Sequence, residues 1–454
     1  MLASGCRKAH AFFQSTEIYL VSPISTRHVT ALLLACFILS GCGHSGGDAE
    51  IRVLNASVDY STVDLYLNNG SATTPAISGA TYGTLTPYTG VGAFGYTVEF
   101  TNNGTQSTLK SLDENLAKGT FKTYVAYGDI GSFGVLEILE NQDAPNSGNT
   151  SVQIIDAAPD AGAVDVYLTD PSASLANSSP TFTNVAGGVV GSGFIALTDG
   201  TYRIRVTGTG NQTDIRLDSL TGISFTSQET VSIVLSGTRG GVLVNATVIP
   251  QQGTATAINN PYARVRAVAG IPSGSNLSAS LGGTTLLTSA AANTVSLYSL
   301  VQAGTQSLSL NLNGGALTPS SQTLQAGWDY TVLVLNGTSV AGTTTTLLSD
   351  DNRLPTTSTY SKISLVNAMS SLGDPVTLNV NYTPVASAVA LANSSAPTQV
   401  TAGPDTEIDT VDATTSTTLF TNTQASLASS GVYDLFMFGS TAAPIGALHT
   451  NRPD

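Results

Sequence analysis

Apolar and polar side chains alternate along most of the chain after residue 50, in short stretches interrupted by Gly, Asn and Pro. The apolar positions are rich in Val, Ile, Leu and Tyr, and period-two alternation of such residues is typical of antiparallel β-strands. No convincing stretch has the 3.6-residue spacing of an amphipathic helix. We therefore expect an all-β protein.

The alternating pattern recurs about every 100 residues. The stretch IRVLNASVDYSTVDLYLNN, which begins at Ile51, matches VQIIDAAPDAGAVDVYLTD, which begins at Val152. Weaker copies begin near Arg264 and Ile363. A repeat of this length is a whole domain rather than the unit of a solenoid. About seven strands fit into each copy, which predicts tandem immunoglobulin-like antiparallel β-sandwich domains.

The N-terminal pattern is different. The run from Val29 to Leu39 is wholly apolar but too short for a membrane-spanning helix, which needs about 20 such residues. Leu39, Ser40 and Gly41 then precede Cys42, and together these residues resemble the lipobox of bacterial lipoprotein signals. The resemblance implies that Cys42 is lipidated and becomes the first mature residue, held at a membrane by several acyl chains. An ordinary secretory signal with an unrelated cysteine is the alternative.

The residue after the cysteine bears on location. In Gram-negative lipoproteins an Asp there resembles an inner-membrane retention signal, and this chain has Gly43 instead. We therefore expect a lipid-anchored protein of the cell envelope, at the outer membrane, with either a periplasmic or a surface face.

Polar segments rich in Pro, Gly, Asn or Thr separate the copies and are interpreted as linkers. The predicted organisation is a lipoprotein signal peptide over 1–41, a flexible tether over 42–50, sandwiches over 51–145 and 151–250, and degenerate sandwiches over 262–352 and 361–454.

Charge and cysteine content exclude some partners and bonds. The chain has 16 Lys and Arg against 30 Asp and Glu, and only 10% of its residues are charged. Nucleic acids and anionic lipid surfaces require basic stripes, so neither is an expected partner. Of the three cysteines only Cys42 would remain after processing, so the domains hold together by packing without disulfides.

Residues suited to catalysis are scarce. Downstream of the leader there are two histidines, His44 and His449, with no His-Glu-x-x-His motif and no Gly-x-Ser-x-Gly elbow. We therefore expect no enzyme, no catalytic residue, no metal and no cofactor. An acid-base hydrolase of polysaccharide is the alternative, because a pair of carboxylates can cleave a glycosidic bond.

Several carboxylates recur or cluster. Asp59 and Asp160 are interpreted as turn residues that bond their own backbone, and Asp64 and Asp165 as outward-facing strand residues. Weak calcium binding is the alternative for such loops. The densest acidic cluster is interpreted as a solvated strand edge. It consists of Asp405, Glu407, Asp409 and Asp412.

A sugar site would need exposed aromatic faces. The candidates are Trp328, Tyr330, Tyr66 and Tyr167. Tyr66 and Tyr167 recur at one strand position, which favours core packing, and the alternation after Tyr330 also points inward.

The second copy resembles the domain of unknown function 4397 family, which occurs in exported and often lipid-anchored bacterial proteins. The stretches that carry the resemblance are Ala-Ala-Pro-Asp-Ala at 157–161, Val-Asp-Val-Tyr at 164–167 and Gly-Thr-Tyr at 200–202. The first copy has Val58 where the family has proline, and Asn55 and Asp156 stand where it has histidine. Copies 3 and 4 match only in strand pattern. The resemblance implies a β-sandwich fold and export, with no accepted enzymatic activity.

These observations predict a non-enzymatic envelope protein whose four sandwiches form a structural spacer or a rod for adhesion or binding. The expected partners are the membrane, through the N-terminal lipid, and a protein or glycan ligand of the envelope. The ligand-binding residues are not identified by the sequence.

Overall fold

Strands make up most of the chain from residue 48 onward. The computed structural model describes residues 48–68, 74–189, 191–335 and 342–452. The predicted signal peptide, lipobox and Cys42 lie outside these residues. In the described part of the chain, eight β-sheets form four two-sheet sandwiches, one for each copy of the repeat. The prediction of an all-β sandwich fold is confirmed.

The first two copies contain eighteen of the strands and two short 3₁₀ helices. Copy 1 consists of β1 (Ala49–Asn55), β2 (Thr62–Asn68), β3 (Ile77–Thr81), β4 (Thr89–Val91), β5 (Gly95–Asn102), β6 (Thr108–Asn115), β7 (Phe121–Tyr127) and β8 (Gly134–Leu139). Copy 2 consists of β9 (Asn149–Ala157), a 3₁₀ helix (Pro159–Ala161), β10 (Val164–Thr169), a 3₁₀ helix (Leu175–Asn177), β11 (Phe182–Val185), β12 (Ile195–Thr198), β13 (Gly200–Gly208), β14 (Asn211–Asp218), β15 (Ile223–Phe225), β16 (Thr230–Gly237), β17 (Val244–Pro250) and β18 (Thr256–Ile258).

The other two copies follow the same order. Copy 3 consists of β19 (Tyr262–Gly270), β20 (Asn276–Leu281), β21 (Thr284–Ala291), β22 (Ser299–Gln302), β23 (Gly304–Leu312), β24 (Gly315–Ala316), β25 (Ser320–Leu324), β26 (Asp329–Leu335) and β27 (Thr344–Asp350). Copy 4 consists of β28 (Tyr360–Asn367), β29 (Val376–Val380), β30 (Thr383–Val389), β31 (Thr398–Thr401), β32 (Gly403–Asp412), β33 (Thr418–Leu427), β34 (Val432–Ser440) and β35 (Ala443–Thr450). No helix of the described residues is long and apolar enough to cross a membrane.

One sheet of every copy contains a parallel strand pair. In copy 1, β1 pairs antiparallel with β4 on one side and parallel with β7 on the other. The same parallel pairing joins β9 to β16, β19 to β26 and β28 to β34. The sequence predicted only antiparallel strands, because side chains alternate with period two in both kinds of ladder. We call the sheet with the parallel pair the junction sheet and the other the outer sheet.

Each copy has its own apolar core between its two sheets. In copy 1, Ile51 and Val53 of β1 pack against Val63, Leu65 and Phe100 of the outer sheet. Equivalent clusters fill copies 2, 3 and 4. The alternation that the sequence displays is the alternation of these inward-facing positions.

The junction sheets are buried on both faces because the copies pack in pairs. Leu54 and Ala56 of copy 1 form one apolar cluster with Ile155 and Val234 of copy 2. Copies 3 and 4 form a second such cluster, which contains Val268, Leu333, Leu335, Leu348, Val366, Ala368, Phe436 and Phe438. Copies 1 and 2 are hereafter the first pair, and copies 3 and 4 the second pair.

The two pairs also contact each other. Arg353, in the segment that follows β27, donates a hydrogen bond to Asp59 of copy 1 at 2.7 Å. Gly241 of copy 2 has a φ of 89°, and a Cβ there would lie 2.7 Å from the backbone nitrogen of Arg353. Only glycine fits this approach without strain. The polar segment interpreted from the sequence as a linker between copies 3 and 4 is therefore also a contact between the pairs.

Candidate functional site

The strand aspartates Asp64 and Asp165 are buried, and the prediction that they face outward is wrong. Each accepts hydrogen bonds from the backbone of a neighbouring strand and of a turn in its outer sheet. The donors are the N–H groups of Gly79 and Gly104 for Asp64, and of Asn184 and Gly210 for Asp165, at 2.7–3.1 Å. Burial raises the pKa of Asp64, but the hydrogen bonds outweigh it and hold the pKa below its usual value. These recurring residues therefore have a structural role.

The turn aspartates Asp59 and Asp160 bond groups distant in the sequence, such as the N–H group of Ile130 for Asp59, and the prediction that they bond their own local backbone is wrong. Asp59 accepts hydrogen bonds from Arg353 at 2.7 Å and from Arg239 at 3.0 Å. Asp160 accepts one from the N–H group of Leu354 at 2.6 Å. The motif that recurs in copies 1 and 2 thus holds the second pair against the first.

The acidic cluster of residues 405–412 lies on β32, which is an interior strand of its sheet. The prediction of a solvated strand edge is therefore wrong. Three of its carboxylates accept hydrogen bonds from separate partners: Tyr382 bonds Glu407, Asn379 bonds Asp409, and the N–H groups of Thr414 and Thr415 bond Asp412. In the ranges that the structure describes, no group of three or more His, Cys, Asp and Glu side chains could hold a metal ion.

The aromatic residues considered for sugar binding are mostly engaged in packing. Tyr330 belongs to the core of copy 3, and Trp328 is half-buried and stacked on it with ring centroids 6.3 Å apart. Tyr167 is buried, while Tyr66 is half-buried at the equivalent position of copy 1. None of the four lines a cavity described here.

The sequence did not single out the residues around the first of two large cavities. This first cavity has a volume of about 610 Å³ and lies between copies 1 and 2. Buried Arg52 lies with its guanidinium 4.3 Å from the ring centroid of Tyr88. Its Nη2 pairs with Glu140 at 2.6 Å, and its Nε donates to Thr123 at 2.8 Å. Its Nη1 donates to the carbonyl of Gly253 in copy 2 at 2.8 Å, so both copies build the site.

The second cavity repeats this arrangement in the second pair. Its volume is about 650 Å³, and buried Arg266 lies with its guanidinium 4.7 Å from the ring centroid of Tyr298. The Nε of Arg266 donates to Thr331 at 2.8 Å. Tyr298 and Thr331 both donate to Asp350, at 2.7 and 2.6 Å. The Nη1 of Arg266 donates to Asn451 of copy 4 at 2.7 Å.

Strand register shows that the two sites occupy equivalent positions. Arg52 lies opposite Thr123 in the parallel pair of copy 1, as Arg266 lies opposite Thr331 in copy 3. Tyr88 and Tyr298 each directly precede the short strand that pairs with the first strand of the copy. The corresponding arginine positions of copies 2 and 4 are Gln153 and Ser364. The signal was present in the sequence as an Arg and a Tyr-x-x-Val shared by copies 1 and 3 alone.

Several equivalent positions differ between the sites, and one of them follows β17 in copy 2 and β35 in copy 4. Ile249 lies opposite Ser232 in copy 2, as His449 lies opposite Asp434 in copy 4. Three residues further on, Gln252 lines the first cavity and Arg452 lines the second. Burial lowers the pKa of Arg452 to about 10, which leaves it charged at neutral pH.

Both cavities are lined by groups that can bind a small ligand. Their walls offer aromatic edges, hydroxyl groups and backbone amides around a fixed arginine, and their volumes fall in the range of about 300–1,000 Å³ that small ligands occupy. The first cavity has no carboxylate, histidine or cysteine among its lining residues.

Fold and site together define a class: a tandem β-sandwich protein whose copies pack in pairs around a buried arginine. The family model described as "Domain of unknown function (DUF4397)" matches residues 49–167 and 263–374, about half of the chain. The chain belongs to this family. The matches begin in copies 1 and 3, and each contains the shared arginine and tyrosine. The expectation that copy 3 matches only in strand pattern is therefore wrong.

Other comparisons are more distant. No curated protein matched the chain. Among solved structures, the CBMbc module (family CBM26) of Eubacterium rectale Amy13K in complex with maltoheptaose is 15% identical, with 44% of this chain and 96% of that one covered and a TM-score of 0.15. A candidate cell adhesion protein from Bacteroides uniformis is 11% identical (46% and 99% covered, TM-score 0.20). A structure of α-glucan binding by a streptococcal virulence factor is 12% identical (41% and 93% covered, TM-score 0.15). At these TM-scores the similarities carry no argument about this chain.

Proposed function

We propose that this chain is a non-enzymatic, lipid-anchored binding protein of the bacterial cell envelope. The apolar leader and the lipobox ending at Cys42 support export and anchoring, and Gly43 supports placement at the outer membrane. The sandwiches then form the binding part that the lipid holds at the membrane.

The observation that carries the binding role is the repetition of one cavity. Arg52 with Tyr88, and Arg266 with Tyr298, line cavities of about 610 and 650 Å³ at the same place in both pairs. Well-packed apolar residues would hold two copies together as well as a buried ion pair does, so a spacer has no need to keep such a pair beside an open cavity twice. If the chain is instead a spacer without a ligand, no oligosaccharide probe should bind in calorimetric titration.

The lining residues favour a hydroxylated ligand. Besides Tyr88, four threonines line the first cavity, namely Thr84, Thr86, Thr247 and Thr254. Besides Tyr298, five hydroxyl residues line the second, namely Thr213, Thr284, Ser296, Ser299 and Thr450. Neutral hydroxyl donors beside an aromatic side chain match the alternating polar and apolar faces of a sugar ring. We therefore propose an oligosaccharide of the envelope or its surroundings as the ligand.

Calorimetric titration of the purified lipoprotein in detergent tests this ligand class, with cellotriose, xylotriose and trigalacturonate as probes. We expect Tyr88→Ala and Tyr298→Ala each to weaken binding at its own cavity by about tenfold or more, because aromatic anchors dominate such sites. Tyr360→Ala removes a partly exposed tyrosine from outside both cavities and serves as the control. Binding that is equal in all three variants, or absent for every probe, would contradict the proposal.

The anchor is tested separately by labelling cells with an alkyne analogue of palmitate. We expect the chain to incorporate the label and to lose it on Cys42→Ala, because the thiol is the acylated group. Cys6→Ala, within the predicted leader, should leave labelling unchanged. An unlabelled wild-type chain would refute the anchor, and protease treatment of intact cells would then distinguish a surface from a periplasmic face for a labelled one.

A hydrolase is the second candidate, favoured by a third cavity. Its volume is about 340 Å³, and Asp350, Asp351 and Asp434 line it. Burial raises the pKa of Asp350 to about 6, a value suited to a general acid. Both Asp350 and Asp434 are however bonded within the arginine site, which favours binding. Release of shorter sugars from the same three probes, abolished by Asp434→Asn, would support the hydrolase instead.

A further inference from the structure

A fourth cavity lies between copies 3 and 4. Its volume is about 420 Å³, and it shares no lining residue with the three cavities described above. Copy 3 contributes Asn293 to its lining, and copy 4 contributes Gly439 and Ile445. All of its lining residues are small, apolar or neutral, so the wall carries no charge.

In the first pair a tyrosine joins the two copies at a corresponding place. The hydroxyl group of Tyr82, in copy 1, donates a hydrogen bond to the backbone carbonyl of Gly237 in copy 2 at 2.7 Å. It also accepts one from Nδ2 of Asn245 at 3.2 Å. Tyr82 therefore bridges copies 1 and 2 with its ring and with a directed hydroxyl group.

Strand register shows that the partners of Tyr82 correspond to lining residues of the fourth cavity. Asn245 lies opposite the residue that precedes Gly237, and Ile445 lies opposite the residue that precedes Gly439. The parallel strand pairs of copies 2 and 4 place the two glycines in the same register. The second pair thus has a cavity where the first pair has the end of a tyrosine side chain.

Copy 3 has Ala292 where copy 1 has Tyr82. The residue after each, Asn293 or Gly83, donates its N–H group to the carbonyl three residues after the shared arginine, at 2.7 Å in both copies. A methyl group therefore replaces a phenol ring in the second pair.

A larger side chain nearby does not close the space. Phe438 stands in copy 4 where copy 2 has Ser236. Its ring is fully buried in the apolar cluster between copies 3 and 4, and Phe438 is not among the residues that line the cavity. Ile445, by contrast, lines the cavity and is 44% exposed, so an apolar wall faces an incoming ligand.

We infer that the fourth cavity binds a tyrosine side chain of a partner protein, in the place that Tyr82 holds within the first pair. The carbonyl of Gly439 would accept the phenol hydroxyl, as that of Gly237 does from Tyr82. Its hydrogen bond from Ser371 is long, at 3.4 Å, so a shorter one can replace it. Ile445 would pack against the ring, and tyrosines seated in such pockets commonly dominate the affinity of an interface.

The rest of the lining suits a polypeptide carrier. Four serines offer hydroxyl groups to the main chain that bears the tyrosine, namely Ser273, Ser370, Ser371 and Ser440. A second copy of this chain is a poorer source. Tyr382 is 78% exposed, but its hydroxyl already donates to Glu407. The inference does not depend on the proposed sugar sites.

Saturation-transfer NMR of the full-length lipoprotein in detergent tests the inference, with N-acetyltyrosinamide as the probe. Ala292→Tyr copies the first pair and should lower the probe signal about fivefold or more, because the new ring fills the cavity. Tyr82→Ala should raise it about twofold, because it opens a second cavity of the same kind. Thr305→Tyr adds an exposed tyrosine to copy 3 outside the four cavities and should leave the signal unchanged.

A second readout does not require the probe. Ala292→Tyr should raise the midpoint of thermal unfolding, because filling a cavity between copies stabilises the fold. A lower midpoint together with an unchanged probe signal would show that the cavity does not accept a tyrosine.

Related probes define the ligand class. N-acetylphenylalaninamide lacks the hydroxyl and should bind about fivefold more weakly, and N-acetylleucinamide about tenfold more weakly. Equal signals from the tyrosine and leucine probes, or a tyrosine signal that Ala292→Tyr leaves unchanged, would overturn the inference. Binding of p-cresol without binding of N-acetyltyrosinamide would overturn the protein partner in favour of a free phenol. Self-association that both Ala292→Tyr and Tyr382→Ala abolish would overturn it in favour of a second copy.

Discussion

Asn55, Asp156 and Asn367 occupy one position at the end of the first strand in copies 1, 2 and 4, and they have one role. Each accepts a hydrogen bond from the N–H group two residues later, at 2.8–3.1 Å. Both asparagines also donate to carbonyls across the sandwich. The family resemblance implies histidine at this position, so in these three copies it suits a side chain that both accepts and donates.

Asp156 fulfils only half of this role when it is ionised. Its Oδ2 is buried with no hydrogen-bond partner in the described structure, and a carboxylate there has no proton to donate. Burial raises the pKa of Asp156 to about 7. Protonation restores the donor that Asn55 and Asn367 carry permanently.

The burial of Asp156 predicts that its ionisation destabilises the fold as pH rises, and that Asp156→Asn removes this destabilisation. Between pH 4 and 7 the folded chain binds more protons at this site than the unfolded chain, whose Asp pKa is near 3.8, so stability falls as pH rises. We expect Asp156→Asn to raise the free energy of unfolding by about 2–4 kcal/mol at pH 8 and to change it little at pH 4. Urea unfolding across this pH range measures the difference.

The control for that measurement is Asp199→Asn, which removes an exposed carboxyl of the same copy. It should follow the wild-type profile. An Asp156→Asn profile that runs parallel to the wild-type one would show that the ionised carboxylate is not costly.

At the scale of strands, the alternation of the sequence predicted which residues face the core of a copy, but not which residues contact another copy. Tyr330, Val332 and Val334 of β26 point into the core of copy 3, as the alternation indicated. Leu333 and Leu335, which point to the opposite face of the strand, form the contact with copy 4. A run of consecutive apolar residues indicates a strand that is buried on both faces. The sequence of β26 therefore indicates a second buried face, but it does not identify copy 4 as the partner that covers it.

The cavities could be predicted only in part, for a related reason. Arg52 is a charged residue in a largely apolar strand, and in one copy such a residue is indistinguishable from an exposed position. Comparison of copies 1 and 3 would have separated it, because Arg266 repeats it while copies 2 and 4 have Gln153 and Ser364. The partners of these arginines are 71 to 88 residues away in copy 1, so local pattern could not supply them.

At the scale of the whole molecule, the chain is a duplication of a two-sandwich unit. The family matches begin at residues 49 and 263, one at the start of each pair. The arginine sites repeat with the pairs rather than with the single copies. The smallest unit that contains a complete cavity is therefore a pair, because Gly253 and Asn451 come from the second member of each.

The pairs are joined through a buried charge network, of which Arg353 is the centre. It pairs with Asp59 at 2.7 Å, with Asp129 at 3.2 Å and with Asp351 at 2.8 Å. Its side chain is 14% exposed, so its removal leaves carboxylates without their cation in a largely dry contact.

Arg353→Ala should therefore separate the pairs while each pair keeps its fold. We expect the contact between the pairs to be weakened by about 3–5 kcal/mol, the usual cost of removing one partner from a buried charge pair. The radius of gyration measured by small-angle X-ray scattering should therefore increase. Arg239→Ala is the matched control, because Arg239 bonds the same oxygen of Asp59 at 3.0 Å but is 45% exposed. An exposed pair contributes at most about 1 kcal/mol, so this variant should keep the wild-type radius. Equal radii for both variants would mean that apolar contact, rather than the Arg353 network, holds the pairs together.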